Sequence, residues 1–95
     1  MEQIERIQRY EALLDEAREL LREGEQLAQK LSLLKGMLGE LDEYYSSSQW
    51  RQDYEDDEAG RLPEGLKRGV LSEDGIYNAL EDEKDLFERI KVILG

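Results

Sequence analysis

Four carboxylates stand close together in the middle of the chain, and they are the residues best suited to metal binding or acid–base chemistry. Asp53, Asp56, Asp57 and Glu58 all lie between positions 53 and 58. Paired carboxylates can hold Mg²⁺ or divide the roles of general acid and general base. The companions of such chemistry are missing, since the chain has no His, no Cys, no phosphate-binding loop and no nucleophile beside a base. The pattern therefore predicts a solvated acidic helix end.

The same acids resemble a calcium-binding EF-hand loop that would begin at Asp53 and end at Glu64. Such a loop needs glycine at its sixth position, where the chain turns sharply. Glu58 occupies that position here, and the nearest glycine is Gly60. We therefore predict no catalytic residue, no cofactor and no metal site, and we do not expect the chain to be an enzyme.

Aromatic side chains accompany the acidic cluster, and they admit two interpretations. Tyr44, Tyr45, Trp50 and Tyr54 could form the core where two helices turn on each other, with Trp50 largely buried. They could instead form an exposed anchor patch, because Trp and Tyr dominate the hot spots of binding surfaces. Both interpretations stay open at the level of the sequence.

Lys67 and Arg68 form an adjacent basic pair that follows the cluster. Two positive charges do not make a nucleic-acid patch, and we expect them to neutralise the nearby acids or to bind helix-end carbonyls. The candidate interaction residues are Tyr44, Tyr45, Trp50, Asp53, Tyr54, Asp56, Asp57, Glu58, Lys67 and Arg68.

The overall composition is acidic, with 24 Asp and Glu against 13 Lys and Arg in 95 residues, for a net charge of −11. The acids are spread along the chain, which argues against direct binding to nucleic acid or anionic membranes, because those contacts need Lys and Arg. A basic protein partner is compatible with this charge. No apolar run approaches the ~20 residues that span a bilayer, and no signal peptide is visible. We expect one small cytoplasmic domain over residues 1–95.

Helical periodicity organises the chain into three segments, about 3–45, 47–59 and 73–94. In the first segment, apolar or small residues recur mostly at steps of three and four, as on a helix face that meets another helix. They are Ile7, Tyr10, Leu14, Ala17, Leu21, Gly24, Ala28, Leu31, Leu34, Leu38, Leu41 and Tyr45. The pattern holds across Gly36 and Gly39, so we expect one long helix there.

Capping signals mark the two later helices. Ser46 with Gln49 three residues on resembles a capping box, and Gly60 suits the left-handed position after a helix end. Ser72 is a good N-cap for the third helix. Leu71 and Ile76 can form a hydrophobic staple around it.

The expected fold is all-α: a long N-terminal helix, a short middle helix and a C-terminal helix packed antiparallel, as in a coiled-coil-like helical hairpin or three-helix arrangement. At 1.5 Å per residue, a third helix of about 33 Å covers only about half of a first helix of about 60 Å. The short second helix, a bend in the first helix or a second protomer would have to shield the rest. The first helix is therefore a candidate seam for a homodimer.

The motifs from residue 44 to residue 78 resemble an uncharacterised bacterial family. They run YY, Trp50, DYE, DEAG, LP, LKRGVLSED and IYN in this order. The family is catalogued as domain of unknown function forty-two ninety-eight. The resemblance implies a short, acidic, largely helical protein of Gram-positive bacteria and their mobile elements, and it implies no activity. The matching residues are Tyr45, Trp50, Asp53, Asp57, Glu58, Gly60, Leu62, Pro63, Leu66, Lys67, Arg68, Gly69, Val70, Leu71, Ser72, Asp74 and Tyr77.

Two functions from different classes compete at this point. The first is a non-enzymatic helical interaction module that binds another protein, either a basic one or a second copy of itself. The alternative is an inhibitor that mimics nucleic acid, since a small, strongly acidic chain without His or Cys resembles phage anti-defence proteins such as anti-CRISPR proteins. An interaction module needs a focused apolar or aromatic surface, whereas a mimic needs carboxylates along one exposed edge.

Overall fold

The computed structural model describes residues 2–95, and all of its regular elements are helical. They are α1 (Gln3–Tyr45), α2 (Ser48–Glu58), a 3-10 turn (Gly69–Leu71) and α3 (Gly75–Leu94). No β-strand occurs in this part of the chain. The predicted all-α fold, with a long first helix, a short second helix and a C-terminal third helix, is confirmed.

Helix α1 continues without a break through Gly36 and Gly39. Both positions face open space, so the helix does not need glycine there for close packing. A glycine inside a helix lowers its stability by about 1 kcal/mol relative to alanine. The surrounding Leu and Glu residues, which favour helix, outweigh that loss and keep α1 intact.

The N-cap of α2 is Ser47, and the prediction that Ser46 caps this helix is wrong. Ser47 Oγ accepts a hydrogen bond of 3.2 Å from the amide of Trp50 and donates one of 2.6 Å to the carbonyl of Tyr44. Ser46 cannot take this place because its own amide still donates to the carbonyl of Asp42, in the last turn of α1. One serine therefore links the end of α1 to the start of α2.

Gly60 follows the end of α2, as predicted, and its φ of 71° is left-handed. The amide of Gly60 donates to Asp57 O, and the amide of Arg61 donates to Asp56 O at 2.9 Å. This pair of bonds is the Schellman arrangement, which satisfies carbonyls that the helix end leaves free. The chain leaves α2 in a fixed direction as a result.

Helix α3 begins at Gly75, two residues later than the predicted start at residue 73. Ser72 does not lie directly before the helix. Instead, Ser72 Oγ accepts from the amide of Gly75 at 3.0 Å and donates to Gly69 O at 2.8 Å. The residue next to the helix is Asp74, whose side chain makes no capping bond. Ser72 thus closes the turn that joins the 3-10 turn to α3.

Two compact units divide the chain, Met1–Leu34 and Lys35–Gly95. In the first unit residues 3–34 form a single stretch of helix, and every residue from 2 to 30 is exposed. The second unit holds the buried residues Leu38, Leu71 and Ile76. The single domain expected from the sequence stays a prediction.

None of the helices in residues 2–95 combines the length and the apolar character that crossing a bilayer requires.

Candidate interaction site

Three aromatic rings pack on one another where α1 gives way to α2. Trp50 meets Tyr45 edge-on with 5.0 Å between ring centroids and stacks on Tyr54 at 5.2 Å. Its indole Nε1 donates a hydrogen bond of 2.8 Å to the carbonyl of Val70, in the 3-10 turn. Trp50 is half-buried, as are the two rings that flank it.

Glu73 joins two of these rings from the other side. Its carboxylate accepts a hydrogen bond of 3.1 Å from the Tyr54 hydroxyl, and its backbone carbonyl accepts one of 3.3 Å from the Tyr45 hydroxyl. The bond to Glu73 is the largest cause of a raised pKa at Tyr54, followed by the negative charge of Glu58. The aromatic residues are therefore bonded within their own unit.

Tyr44 and Asp53 form a separate link between α1 and α2. The Tyr44 hydroxyl donates a hydrogen bond of 2.6 Å to Asp53 Oδ2. The pKa of Tyr44 is raised from 10.0 to about 12. Burial is the largest cause, followed by this hydrogen bond and then by the charge of Asp53. All three effects disfavour the phenolate, so the hydroxyl stays protonated and remains a donor.

The other acids of the predicted cluster have different partners. Asp56 accepts from Arg61 at 3.1 Å and from Gln52 at 3.1 Å. Asp57 pairs with Arg68 at 2.6 Å, and Glu58 is exposed. Across residues 2–95, no three Asp, Glu, His or Cys side chains converge on a position that could hold a metal ion.

Arg68 fixes the loop that follows α2. Besides its ion pair with Asp57, its guanidinium donates to the carbonyls of Leu66, at 3.3 Å, and Pro63. The prediction that the basic pair neutralises the acidic cluster is thus confirmed for Arg68. Lys67 lies instead at the edge of a shallow apolar groove of about 320 Å³. The other residues of that groove are Leu41, Gly69, Val70, Gly75, Ile76 and Ala79.

Most of the candidate residues share a role within Lys35–Gly95. They tie the end of α1, α2, the 3-10 turn and the residues before α3 to one another. The phenol and indole donors are already satisfied, and three of the four clustered carboxylates have partners. Little of this polar capacity is free for a ligand.

A larger apolar surface lies on α1, within residues 7–31. We call it the α1 face. On a helix, positions three, four and seven residues apart share one side. The α1 face comprises Ile7, Tyr10, Leu13, Leu14, Ala17, Leu20, Leu21, Gly24, Leu27, Ala28 and Leu31. All of them except Leu31 are exposed, and Leu21 is exposed to 70%.

The periodic stripe predicted from the sequence contains most of the α1 face but lacks one row of its residues. Leu13, Leu20 and Leu27 repeat every seven residues beside that stripe and are 45%, 65% and 54% exposed. Their seven-residue spacing was the signal that could have found them. With this row, the apolar surface is about three side chains wide.

Comparison with known proteins adds a family without a described activity. The family model described as "Domain of unknown function (DUF4298)" matches residues 7–92. Searches of curated proteins and of solved structures found no significant match. The matched range includes both the α1 face and the bonded cluster from Tyr44 to Glu73.

Proposed function

The chain belongs to the family described as Domain of unknown function (DUF4298). From its own residues, we propose that it is a non-enzymatic protein–protein interaction module. It binds another protein chain through the α1 face. The observation that carries this proposal is the exposure of that face: Tyr10, Leu20 and Leu21 are 56%, 65% and 70% exposed.

The energetics of the α1 face support binding. A contiguous exposed apolar surface is unfavourable in water and commonly marks an interaction site. Fully burying a Leu or Ile side chain is worth about 1.5–3 kcal/mol, so covering a half-exposed one contributes about 1 kcal/mol. Apart from Leu31, the face carries five leucines, which are 43–70% exposed. With Ile7, covering these side chains contributes about 6 kcal/mol, in the lower part of the about 4–15 kcal/mol that association costs in lost free motion, so apolar side chains of the partner add the rest.

The aromatic and acidic residues from Tyr44 to Arg68 have a supporting role in this proposal. Their hydrogen bonds and ion pairs are directed at one another and at the 3-10 turn, as in the Trp50–Val70 and Tyr44–Asp53 contacts. They hold the chain that follows α1. Binding energy is assigned to the α1 face, where apolar side chains lack cover.

Matched variants test the proposal. Leu14→Glu with Leu21→Glu, the face variant, places two charges on the α1 face. Gln8→Glu with Gln26→Glu, the control variant, adds the same charge on the opposite side of the helix. In affinity capture from native cells, wild type and control variant should retain the same partner chain, and the face variant should lose it.

Far-UV circular dichroism verifies that each variant keeps its helix content, because all four substituted positions lie in α1, and Trp50 fluorescence checks the second unit. Equal capture by the face variant and the wild type would overturn the proposal. If the control variant and the face variant both lose the partner, the added charge and not the apolar surface would explain the loss of binding.

The alternative, a nucleic-acid mimic, is supported by the net charge of −11. A mimic must present its carboxylates to a basic partner, but Asp53, Asp56 and Asp57 are bonded to Tyr44, Arg61 and Arg68. We therefore rank it second. We propose the cytoplasm as the location, since a chain without Cys is compatible with a reducing compartment.

A further inference from the structure

We infer that the chain which covers the α1 face is a second copy of this protein, lying antiparallel along residues 7–31. The inference rests on the function proposed above and names its partner. Two adjacent rows of the face follow a heptad repeat, the spacing at which two helices pack along a shared seam. The first row is Ile7, Leu14, Leu21 and Ala28, and the second is Tyr10, Ala17, Gly24 and Leu31.

The sizes of the side chains in these rows select the antiparallel direction. Two antiparallel copies bring each residue of the first row opposite a residue of the second row. In one register the numbers of facing residues add up to 38. The facing pairs are then Ile7 with Leu31, Tyr10 with Ala28, Leu14 with Gly24, and Leu21 with Ala17. A large side chain meets a small one in three of these four pairs, which is how facing layers fill space without voids.

The parallel, in-register arrangement lacks this complementarity. It would place Ala17, Gly24 and Ala28 each opposite its own counterpart. Three of the eight layers would then have only small side chains on both sides, and the helices would leave unfilled space between them. Unfilled space in an apolar interface loses dispersion contacts, so the antiparallel register is favoured.

The open surface around Gly24 leaves room for the large side chain of such a pair. Ala17, Leu20, Leu21, Gly24 and Glu25 line an open depression of about 530 Å³ on α1. Nothing lies within 4 Å of the position that a Cβ at Gly24 would occupy. In the inferred register, Leu14 of the second copy enters at Gly24. By symmetry, Leu14 of the first copy enters the same depression of the second.

The two edges of the seam differ, since one is apolar and the other is charged. On one edge, Leu20 meets Leu20 of the second copy at the two-fold axis, and Leu13 meets Leu27, so the row missed in the sequence is covered. The other edge carries Glu11, Arg18 and Glu25, which are exposed. There Arg18 faces Arg18 of the second copy at the two-fold axis and Glu11 faces Glu25, so like charges meet along this edge. Exposed charges of this kind contribute little, so the apolar seam decides the register.

Disulfide trapping in the full-length chain tests both the partner and the register. The protein has no Cys, so Leu14→Cys and Gly24→Cys proteins can be mixed, oxidised and weighed by mass spectrometry. A disulfide needs Cα atoms about 4.4–6.8 Å apart. We expect the mixed Leu14→Cys/Gly24→Cys disulfide to exceed either same-variant disulfide by about tenfold or more. In this register the two copies of residue 14 lie about 15 Å apart along the helix axis, which is too far for a disulfide.

Same-variant disulfides in excess would establish a parallel pair and overturn the register. Light scattering provides a second readout, the mass of the protein in solution, and uses proteins without an engineered cysteine. Wild type and control variant should have twice the chain mass of 11.1 kDa, and the face variant should raise the dissociation constant by about 100-fold or more.

The outcomes separate this inference from the proposed function. The wild type could stay monomeric and form no disulfide, while the face variant still loses a foreign protein that the wild type captures. That result would overturn the inference that the partner is a second copy, but it would leave the proposed interaction module in place. A monomer whose face variant captures the same proteins as the wild type overturns both. A dimer that gives the mixed disulfide supports both.

Discussion

The hydroxyl of Tyr44 donates a 2.6 Å hydrogen bond to the carboxylate of Asp53 and so ties the last turn of α1 to α2. Replacing Tyr44 with Phe leaves this half-buried carboxylate without its donor. We expect Tyr44→Phe to lower the free energy of unfolding by about 1–2 kcal/mol at neutral pH. Urea unfolding measures this difference. Tyr77→Phe is the control, because Tyr77 is 53% exposed, and it should change stability by less than about 0.5 kcal/mol.

The raised pKa of Tyr44 also makes this contribution depend on pH. Its pKa is about 12 in the folded chain, against 10.0 for an unperturbed tyrosine. The contribution is therefore complete below pH 10 and is lost as the pH rises towards 12. The stability difference between wild type and Tyr44→Phe should shrink between pH 10.0 and about pH 12. A difference that stays constant over this range would show that the hydroxyl is not held protonated by its surroundings.

Trp50 is expected to be the most sensitive single position in the second unit. It packs on Tyr45 and Tyr54 and donates its indole N–H to Val70 O at 2.8 Å. Trp50→Ala removes all three contacts, and we expect a loss of about 3 kcal/mol, at the low end for large-to-small changes because the ring is half-buried. Trp50→Phe, which loses the hydrogen bond but keeps a ring, should lose less. A Trp emission maximum typical of full exposure would contradict this packing.

Two arginines near the end of α2 allow a matched comparison. Arg68 pairs with Asp57 at 2.6 Å and also donates to two backbone carbonyls, whereas Arg61 pairs with Asp56 at 3.1 Å and its side chain is 70% exposed. We expect Arg68→Ala to lower stability by about 1–2 kcal/mol and Arg61→Ala by less than about 0.5 kcal/mol. Chemical unfolding of both variants gives the ranking. Equal losses would mean that the carbonyl bonds contribute nothing.

Glycines in two settings should respond to alanine in opposite directions. A Cβ at Gly75 would run into Gly69 O and Ser72 Oγ, but a Cβ at Gly36 would meet open space in the middle of α1. Gly75→Ala should therefore destabilise the chain, by about 1 kcal/mol or more. Gly36→Ala should stabilise α1 by about 0.5–1 kcal/mol. Thermal unfolding followed by circular dichroism measures both effects, and a stabilising Gly75→Ala would contradict the tight turn.

The helices could be predicted from the sequence because their signals are local. The three-and-four spacing gave α1 its observed bounds, and Gly60 marked the end of α2. Choosing among Ser46, Ser47 and Ser48 was not possible, since the cap depends on where the last turn of α1 ends. The start of α3 was misplaced for a similar reason: Ser72 bonds to Gly69 and Gly75 in a turn that only the folded chain defines.

The contacts of the candidate site could not be derived from spacing. Tyr44 and Asp53 are nine residues apart, Trp50 and Val70 twenty, and Tyr45 and Glu73 twenty-eight. Residue types identified Tyr44, Trp50 and Asp53 as noteworthy. Their role as internal links follows only from the tertiary arrangement. The row containing Leu20 was visible in the sequence as a seven-residue repeat, but its exposure was not.

The most direct test of the account is the mass of the full-length chain in solution as salt is raised from about 0.05 M to about 0.5 M. If the α1 face joins two copies that each carry a net charge of −11, salt screens their repulsion and the dimer should hold or strengthen. The face variant should stay monomeric throughout, while the control variant follows the wild type. An association that weakens steeply with salt, and that the face variant shares with the wild type, would contradict the α1 face as the binding surface.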